Sequence, residues 1–275
     1  MRGVLRKHGF VRQPTGQNGL DLTNPLARKI TGGIAAHYGA GRIDLVSGII
    51  GTVGNAIPRK EDRSGGRATS GGSSSSWLLP PKPGYGDLSK VCSLEFYFSG
   101  NGPLTNNDRG IDFAGLQTGG SGGGWDLEYA ATNNPVFVTW FSSFNFGQTV
   151  AAGSLANNRP THLIITTTGN SSGANNWFSW VNGKFEAGWF TNTTASGADK
   201  LRVHCSFVAP GNNSGDWPFY FFHAYHGTIL SKAEIARRAA RPWEVYQPGG
   251  RIVTGLPTVP PPNVPATPYY WPIQT

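Results

Sequence analysis

Only one stretch of this chain, "TILSKAEIARRAARPWEVYQP" (Thr228 to Pro248), carries a helical pattern, and that scarcity narrows the available folds more than any other feature. Ser231 stands three residues before Glu234, the reciprocal capping box in which hydroxyl and carboxylate each satisfy a backbone N–H. Leu230 and Ile235 occupy the two positions of a hydrophobic staple. Arg237, Arg238 and Arg241 fall where cations complement the helix dipole, and Pro242 ends the helix. A helix of two or three turns holds only when its apolar stripe packs on something larger. Because it follows directly on a strand, it is expected to lie over an edge or mouth of a β-structure.

Elsewhere the periodicity is two. "VCSLEFYFSG", "WDLEYAA", "NPVFVTWFSSFNF", "THLIITTTG", "NWFSWVNGKFEAGWF", "LRVHCSFV" and "WPFYFFHAYHG" read as strands. Asn182-Gly183 sits between two such runs and predicts a type I′ hairpin, whose central residues both need positive φ. The "FYFFHAYH" run is apolar on both faces, as in a strand at the middle of stacked layers. The pattern predicts roughly eight to twelve short strands and one helix. With 39 Gly and 20 Pro supplying the turns, this means antiparallel sheets packed face to face, an all-β jelly-roll sandwich. "RKEDRSGGRATSGGSSSSW" (Arg59 to Trp77) reads as a low-complexity surface loop.

Only 14% of residues are charged while 12% are aromatic, which excludes a solvated disordered chain and supplies a core. The formal charge of +8 sits mostly toward the ends, with Arg2, Arg6, Lys7 and Arg12 in the first dozen residues and three arginines on the helix. No nucleic-acid-binding motif accompanies it, so the basic ends are expected to meet an acidic protein surface rather than nucleic acid. Cys92 shares a strand face with Leu94, Phe96 and Phe98, and Cys205 one with Val203 and Phe207; both read as small buried thiols. The start "MRGVLRKHGFV" lacks a signal-peptide apolar run, and no membrane-spanning stretch follows, so synthesis in the cytosol and no membrane partner are expected.

Taken in order, five segments resemble the concanavalin A-like, laminin-G-like sandwich domains. They are "NPLARKITGGIAAHYG", "DLVSGIIGTVGNA", "CSLEFYF", "RPTHLIITTTG…WFSWVNGKFEAG" and the last strand running into "TILSKAEIARRAARPWEVYQP", and they span Asn24 to Gln247. The front end, "RQPTGQNGLDLTNPLAR", resembles the start of laminin-G-like proteins carried by tailed bacteriophages. The resemblance implies a sandwich over residues 23–248, a basic arm at 1–22 and a tail at 249–275, in a virion-associated protein.

The same fold hosts glucanases with alternating carboxylates on one strand face, but this chain has 15 acidic residues and no such run. Asp126 and Glu128 are the nearest pair and read as solvent-facing. "NNSGDW" lacks the order of a sialidase Asp box, so no catalytic residues are expected. His223 and His226 are three apart, which puts them on opposite strand faces; they read as buried or interface histidines bonded to backbone. Asp108, Asp112 and Asp199 offer no convincing calcium spacing, and neither metal nor cofactor is expected. Sugar sites pair aromatic platforms with loop amides and carboxylates, which singles out Trp177, Trp189, Asn212, Asp216 and Trp217.

The Pro-rich segment "GLPTVPPPNVPATPYYWPIQT" cannot be a helix or central strand. Its Tyr269, Tyr270 and Trp271 form an aromatic cluster of the kind that anchors an interface. The expected function is a non-enzymatic structural protein of a tailed-phage virion. It would be displayed on capsid or tail, held to other virion proteins through Arg2, Arg6, Lys7, Arg12 and the tail aromatics, with self-association left open. The alternative is a lectin-like adhesin for host-surface glycans.

Overall fold

The computed structural model describes Gln13 and residues 19–53, 59–63, 66–70, 77–79, 85, 90–99, 109–114, 124–130, 134–141, 144–152, 159–169, 176–190, 201–203 and 218–247. They form two antiparallel sheets, one α-helix and two short 3-10 turns, Ala27–Lys29 and Gly39–Gly41, with the segments that join them. The first sheet contains β1 (Gly32–Ala35), β3 (Arg59–Arg63), β4 (Gly66–Ser70), β6 (Cys92–Ser99), β11 (Pro160–Thr167), β12 (Trp177–Val181), β13 (Lys184–Trp189) and β15 (Phe219–His226). Its order is β13-β12-β11-β6-β15-β4-β3, with β1 also on β15. The second contains β2 (Thr52–Val53), β5 (Trp77–Leu79), β7 (Arg109–Ala114), β8 (Gly124–Ala130), β9 (Asn134–Phe141), β10 (Phe144–Thr149) and β14 (Leu201–Val203), in the order β10-β9-β8-β7-β14-β5-β2. The helix α1 spans Lys232–Ala240. No helix among the described residues is long and apolar enough to cross a membrane.

The sandwich is therefore as the alternation predicts, with more strands than expected. Part of the surplus lies in the polar Arg59–Trp77 stretch, read from sequence as a loop. There β3 and β4 pair from Arg59↔Ser70 to Arg63↔Gly66, and Trp77 opens β5. Backbone pairing to a neighbour forms strands even where side chains show no apolar face.

Between the sheets lies the main core. Cys92, Leu94, Phe96 and Phe98 of β6, Leu163 and Ile165 of β11 and Phe222 and Ala224 of β15 face Trp125, Leu127, Phe137 and Leu201 of the second sheet. Cys92 is buried as expected, while Cys205 lies outside the described residues. Trp125 stands edge-on to Phe96 at 5.6 Å and stacks on Phe137, also at 5.6 Å. Its indole N–H donates to the Tyr85 carbonyl at 2.9 Å.

A second core covers the opposite face of the first sheet. Leu20, Leu26, Ala27, Ile30, Leu230, Ile235, Trp243, Val245 and Tyr246 close over Ile164, Tyr220, Phe221 and Tyr225. The register of β15 on β6 slips between Phe219 and Phe221. That irregularity lets Tyr220 and Phe221 both join the outer core, while Phe219 and Phe222 join the inner one. The two-faced apolarity of this run follows from its burial on both sides.

α1 begins as the sequence predicts. The Glu234 N–H donates to Ser231 Oγ, and the Ser231 N–H donates to the Glu234 carboxylate. Leu230 and Ile235 are both buried. Its position corrects the expectation of an edge or mouth: α1 lies on the outer face of the first sheet, whose aromatic and charged side chains need cover. The Asn182-Gly183 turn has φ of 49° and 81°, the conformation a type I′ hairpin requires.

The body also reaches further toward the N-terminus than the expected start at residue 23. Leu20 is buried and bridges Tyr246, the Asp21 N–H donates to the Val245 carbonyl, and the Gln247 N–H donates to Gly19.

Candidate functional site

Beside α1, on the outer face of the first sheet, runs a groove of about 610 Å³. Thr166 and Thr168 come from β11 and the residues after it, Phe178 and Trp180 from β12, and Phe185 from β13. Ile229 to Lys232, the link into α1, forms the opposite wall. Strand register explains why the space stays open. Phe178 pairs with Thr166 on one side and Gly188 on the other, so small cross-strand neighbours flank an aromatic ring. Trp180 pairs with Phe185, and their rings meet edge to face at 5.3 Å. Phe185 is 56% exposed and Ile229 42%, an unusual display for large apolar side chains.

The opposite wall is fixed at its base and at one end. Ser93 Oγ accepts from the Leu230 N–H at 2.9 Å and donates to the Thr228 carbonyl at 3.1 Å, holding the link on β6. The hairpin tip abuts the helix through small residues: a Cβ on Gly183 would lie 3.1 Å from Ala239 Cβ and 3.3 Å from Ala236 Cα. Lys29 Nζ reaches Glu234 at 2.5 Å from the far side of the helix turn.

Under α1 lies a buried polar cluster centred on Glu95. Its Oε1 accepts from Arg238 Nε at 2.8 Å and from His162 Nε2 at 2.6 Å. Its Oε2 accepts from His223 Nδ1 at 2.7 Å and Tyr225 Oη at 2.6 Å, and Tyr246 Oη donates to His223 Nε2 at 2.6 Å. Arg238 directs its remaining amines to the Arg241 and Pro242 carbonyls at 3.3 and 2.7 Å. Burial alone would raise the Glu95 carboxyl, but the Arg238 guanidinium and the two imidazoles hold it well below the usual range. Burial also pushes His223 down, against the pull of Glu95, so its imidazole is neutral and donates from Nδ1. Burial pushes Tyr225 and Tyr246 up, so both keep their protons. All six side chains are at most 2% exposed, and the imidazoles take different carboxylate oxygens rather than converging on one point. The cluster fastens α1 to the sheet; it has neither substrate access nor a shared metal position.

Several expectations change against this geometry. Trp177 and Trp189 are 0% and 5% exposed, paired across β12 and β13 with rings stacked at 6.2 Å and 15° in the inter-sheet core. They offer no face to a sugar; the outward aromatics are their strand neighbours Phe178, Trp180 and Phe185. His223 bonds to side chains and not to backbone. Arg238 is buried on Glu95 and is not available to an acidic partner, while the exposed Arg237 pairs with Glu244 at 2.9 Å. Asn212, Asp216, Trp217, Arg2, Arg6, Lys7, Arg12, Tyr269, Tyr270 and Trp271 lie outside the described residues, as do Asp108 and Asp199. Asp126 and Glu128 alternate along β8 with buried Trp125 and Leu127, and their side chains, like that of Asp112, are outside the described set. No group of three or more His, Cys, Asp or Glu among the described residues is placed to hold a metal ion.

No protein-family model matches this chain, and neither does any curated protein sequence. Solved structures do resemble it. Domain 4 of AbnA, an extracellular arabinanase of glycoside hydrolase family 43 from Geobacillus stearothermophilus, in complex with arabinotriose, superposes with a TM-score of 0.55 at 15% identity. The match covers 76% of this chain and 98% of that domain. The receptor binding domain of botulinum neurotoxin D gives 0.56 at 11% identity, over 78% of this chain and 53% of that one. Trypanosoma rangeli sialidase in complex with sialic acid gives 0.54 at 13% identity, over 78% of this chain and 33% of the enzyme. At these identities the likeness is one of fold: this chain is a two-sheet antiparallel β-sandwich of the jelly-roll kind.

Proposed function

We propose that this chain is a glycan-recognition module of lectin-like character, without catalysis of its own, presented on a larger assembly by its terminal segments. The open groove carries the reading. Pyranose faces stack on aromatic rings, which Phe185, Trp180 and Phe178 supply, while sugar hydroxyls need polar partners, which Thr166, Thr168 and Ser231 supply. The solved counterparts add support, since the arabinanase domain is in complex with a trisaccharide and the sialidase with a sugar acid. The buried Glu95 cluster speaks for a non-catalytic body, because its carboxylate is taken up by Arg238, His162, His223 and Tyr225 and sealed from substrate.

Binding on a glycan array, followed by titration of the best ligand, tests this. Phe185→Ala and Trp180→Ala should each weaken binding at least tenfold while the melting temperature of the exposed Phe185→Ala variant stays unchanged. Glycan binding that persists in both variants would move the site elsewhere, and an array with no bound glycan would end the lectin reading.

For the assembly, the resemblance of "RQPTGQNGLDLTNPLAR" to phage-borne laminin-G-like proteins supports a tailed-phage particle as the carrier. Its basic arm and aromatic tail would be the attachment points, on capsid or tail. Both segments join the body at adjacent residues, Gly19 and Gln247. That favours a single attachment point beside the outer-face core, where Leu20 bridges Tyr246.

A further inference from the structure

The groove has a sign as well as a shape. α1 carries three cations. Arg237 is matched to Glu244 and Arg238 to Glu95, whereas Lys232 makes no ion pair among the described residues. Lys232 is exposed and lines the groove together with Phe178, Trp180 and Phe185. No carboxylate is among the described residues that line the groove. Glu234, the nearest acid on the helix, is turned away: its Oε1 takes Lys29 and its Oε2 takes Ser231. A positive lip over an apolar aromatic wall, with Glu186 beside Phe185 but no carboxylate among the described lining residues, discriminates by charge among ligands that stack equally well.

We propose that the groove selects anionic saccharides, with a ring seated on Phe185 and Trp180 and a carboxylate or sulfate paired with Lys232. This rests on the glycan-recognition reading above and adds the ligand's charge class to it. Neutral oligosaccharides of the same ring stacking retain the aromatic contact and lose the ion pair. An ion pair at a partly desolvated rim corresponds to about tenfold in affinity, and it weakens with salt because the charge stays near solvent.

The experiment uses the full chain on an array that sets each acidic glycan beside its neutral counterpart. The pairs are sialylated against desialylated, uronic acid against its methyl ester, and sulfated against unsulfated. The expected result is preference for the acidic member by about tenfold, reduced by raising salt from 50 to 300 mM. Lys232→Gln should abolish the preference and Lys232→Arg should retain it. The carboxylated and sulfated pairs tell which anion the site takes. Equal binding of both members, or a preference that survives in Lys232→Gln, overturns the proposal while leaving glycan recognition intact. An array with no glycan bound removes the underlying reading, and this proposal with it.

Discussion

At the scale of single residues, the buried Glu95 does most to define the molecule. A carboxylate removed from water is tolerated only with several charged or hydrogen-bonded partners, and leaving it unpaired costs about 3–5 kcal/mol. Here Arg238, His162, His223 and Tyr225 supply them. The arrangement makes stability depend on pH with a definite sign. Burial, against the pull of Glu95, depresses His223 below its ordinary 6.5, so the unfolded chain binds more protons there as the medium acidifies. The stabilisation from neutral His223 is complete above pH 6.5 and is lost as pH falls through its folded value. Glu95 is held below its ordinary 4.5, so its contribution begins to be lost only under more acidic conditions. Thermal melting from pH 8 to pH 4 should therefore show a decline starting near 6.5 and steepening below 4.5. A melting temperature constant from pH 7 to pH 5 would contradict a neutral His223. In the sequence, Glu95 sits between Leu94 and Phe96, on the strand face opposite the one that Cys92, Leu94, Phe96 and Phe98 share. Its main partner is 143 residues away, and nothing local announces it.

At the scale of elements, legibility follows the range of the interactions. The capping box, the staple and the Asn182-Gly183 turn are local codes, and each could be read from adjacent letters. Ser231→Ala should cost about 1 kcal/mol of unfolding free energy, measured by urea denaturation, because it orphans the Glu234 N–H. An unchanged midpoint would mean that tertiary packing alone sets the helix start. The groove was not legible in the same way. "WFSWV" alternates visibly, so the sequence separates Trp177 and Ser179 from Phe178 and Trp180, but it does not say which face meets the second sheet. Both faces carry aromatics because both are covered, one by a sheet and the other in part by α1. The groove walls come from three strands and the helix entry, elements that only the strand order brings together.

For the whole molecule, the sandwich was readable from alternation and turn density, because two stacked layers need little more than inward apolar positions. The β3–β4 hairpin was missed because polar strands at a sheet margin lack that signature. The expected arm boundary was also late, since pairing of Leu20 with Tyr246 joins residues at opposite ends of the chain. On the particle-borne reading proposed above, removal of residues 1–18 or 249–275 should release the protein from particles while leaving the body folded. Undiminished incorporation of both truncated forms, followed by immunoblotting of purified particles, would remove the ends as attachment points.

The hydrogen bond between Gln247 and Gly19 has an architectural consequence of its own. A body whose entrance and exit touch can be spliced into a surface loop of an unrelated protein with no change to either fold, much as a bead threads onto a cord at a single knot. The same closeness allows the old ends to be joined by a short bridge and fresh ones opened elsewhere. It frees the jelly roll to travel between host chains as a self-contained insert.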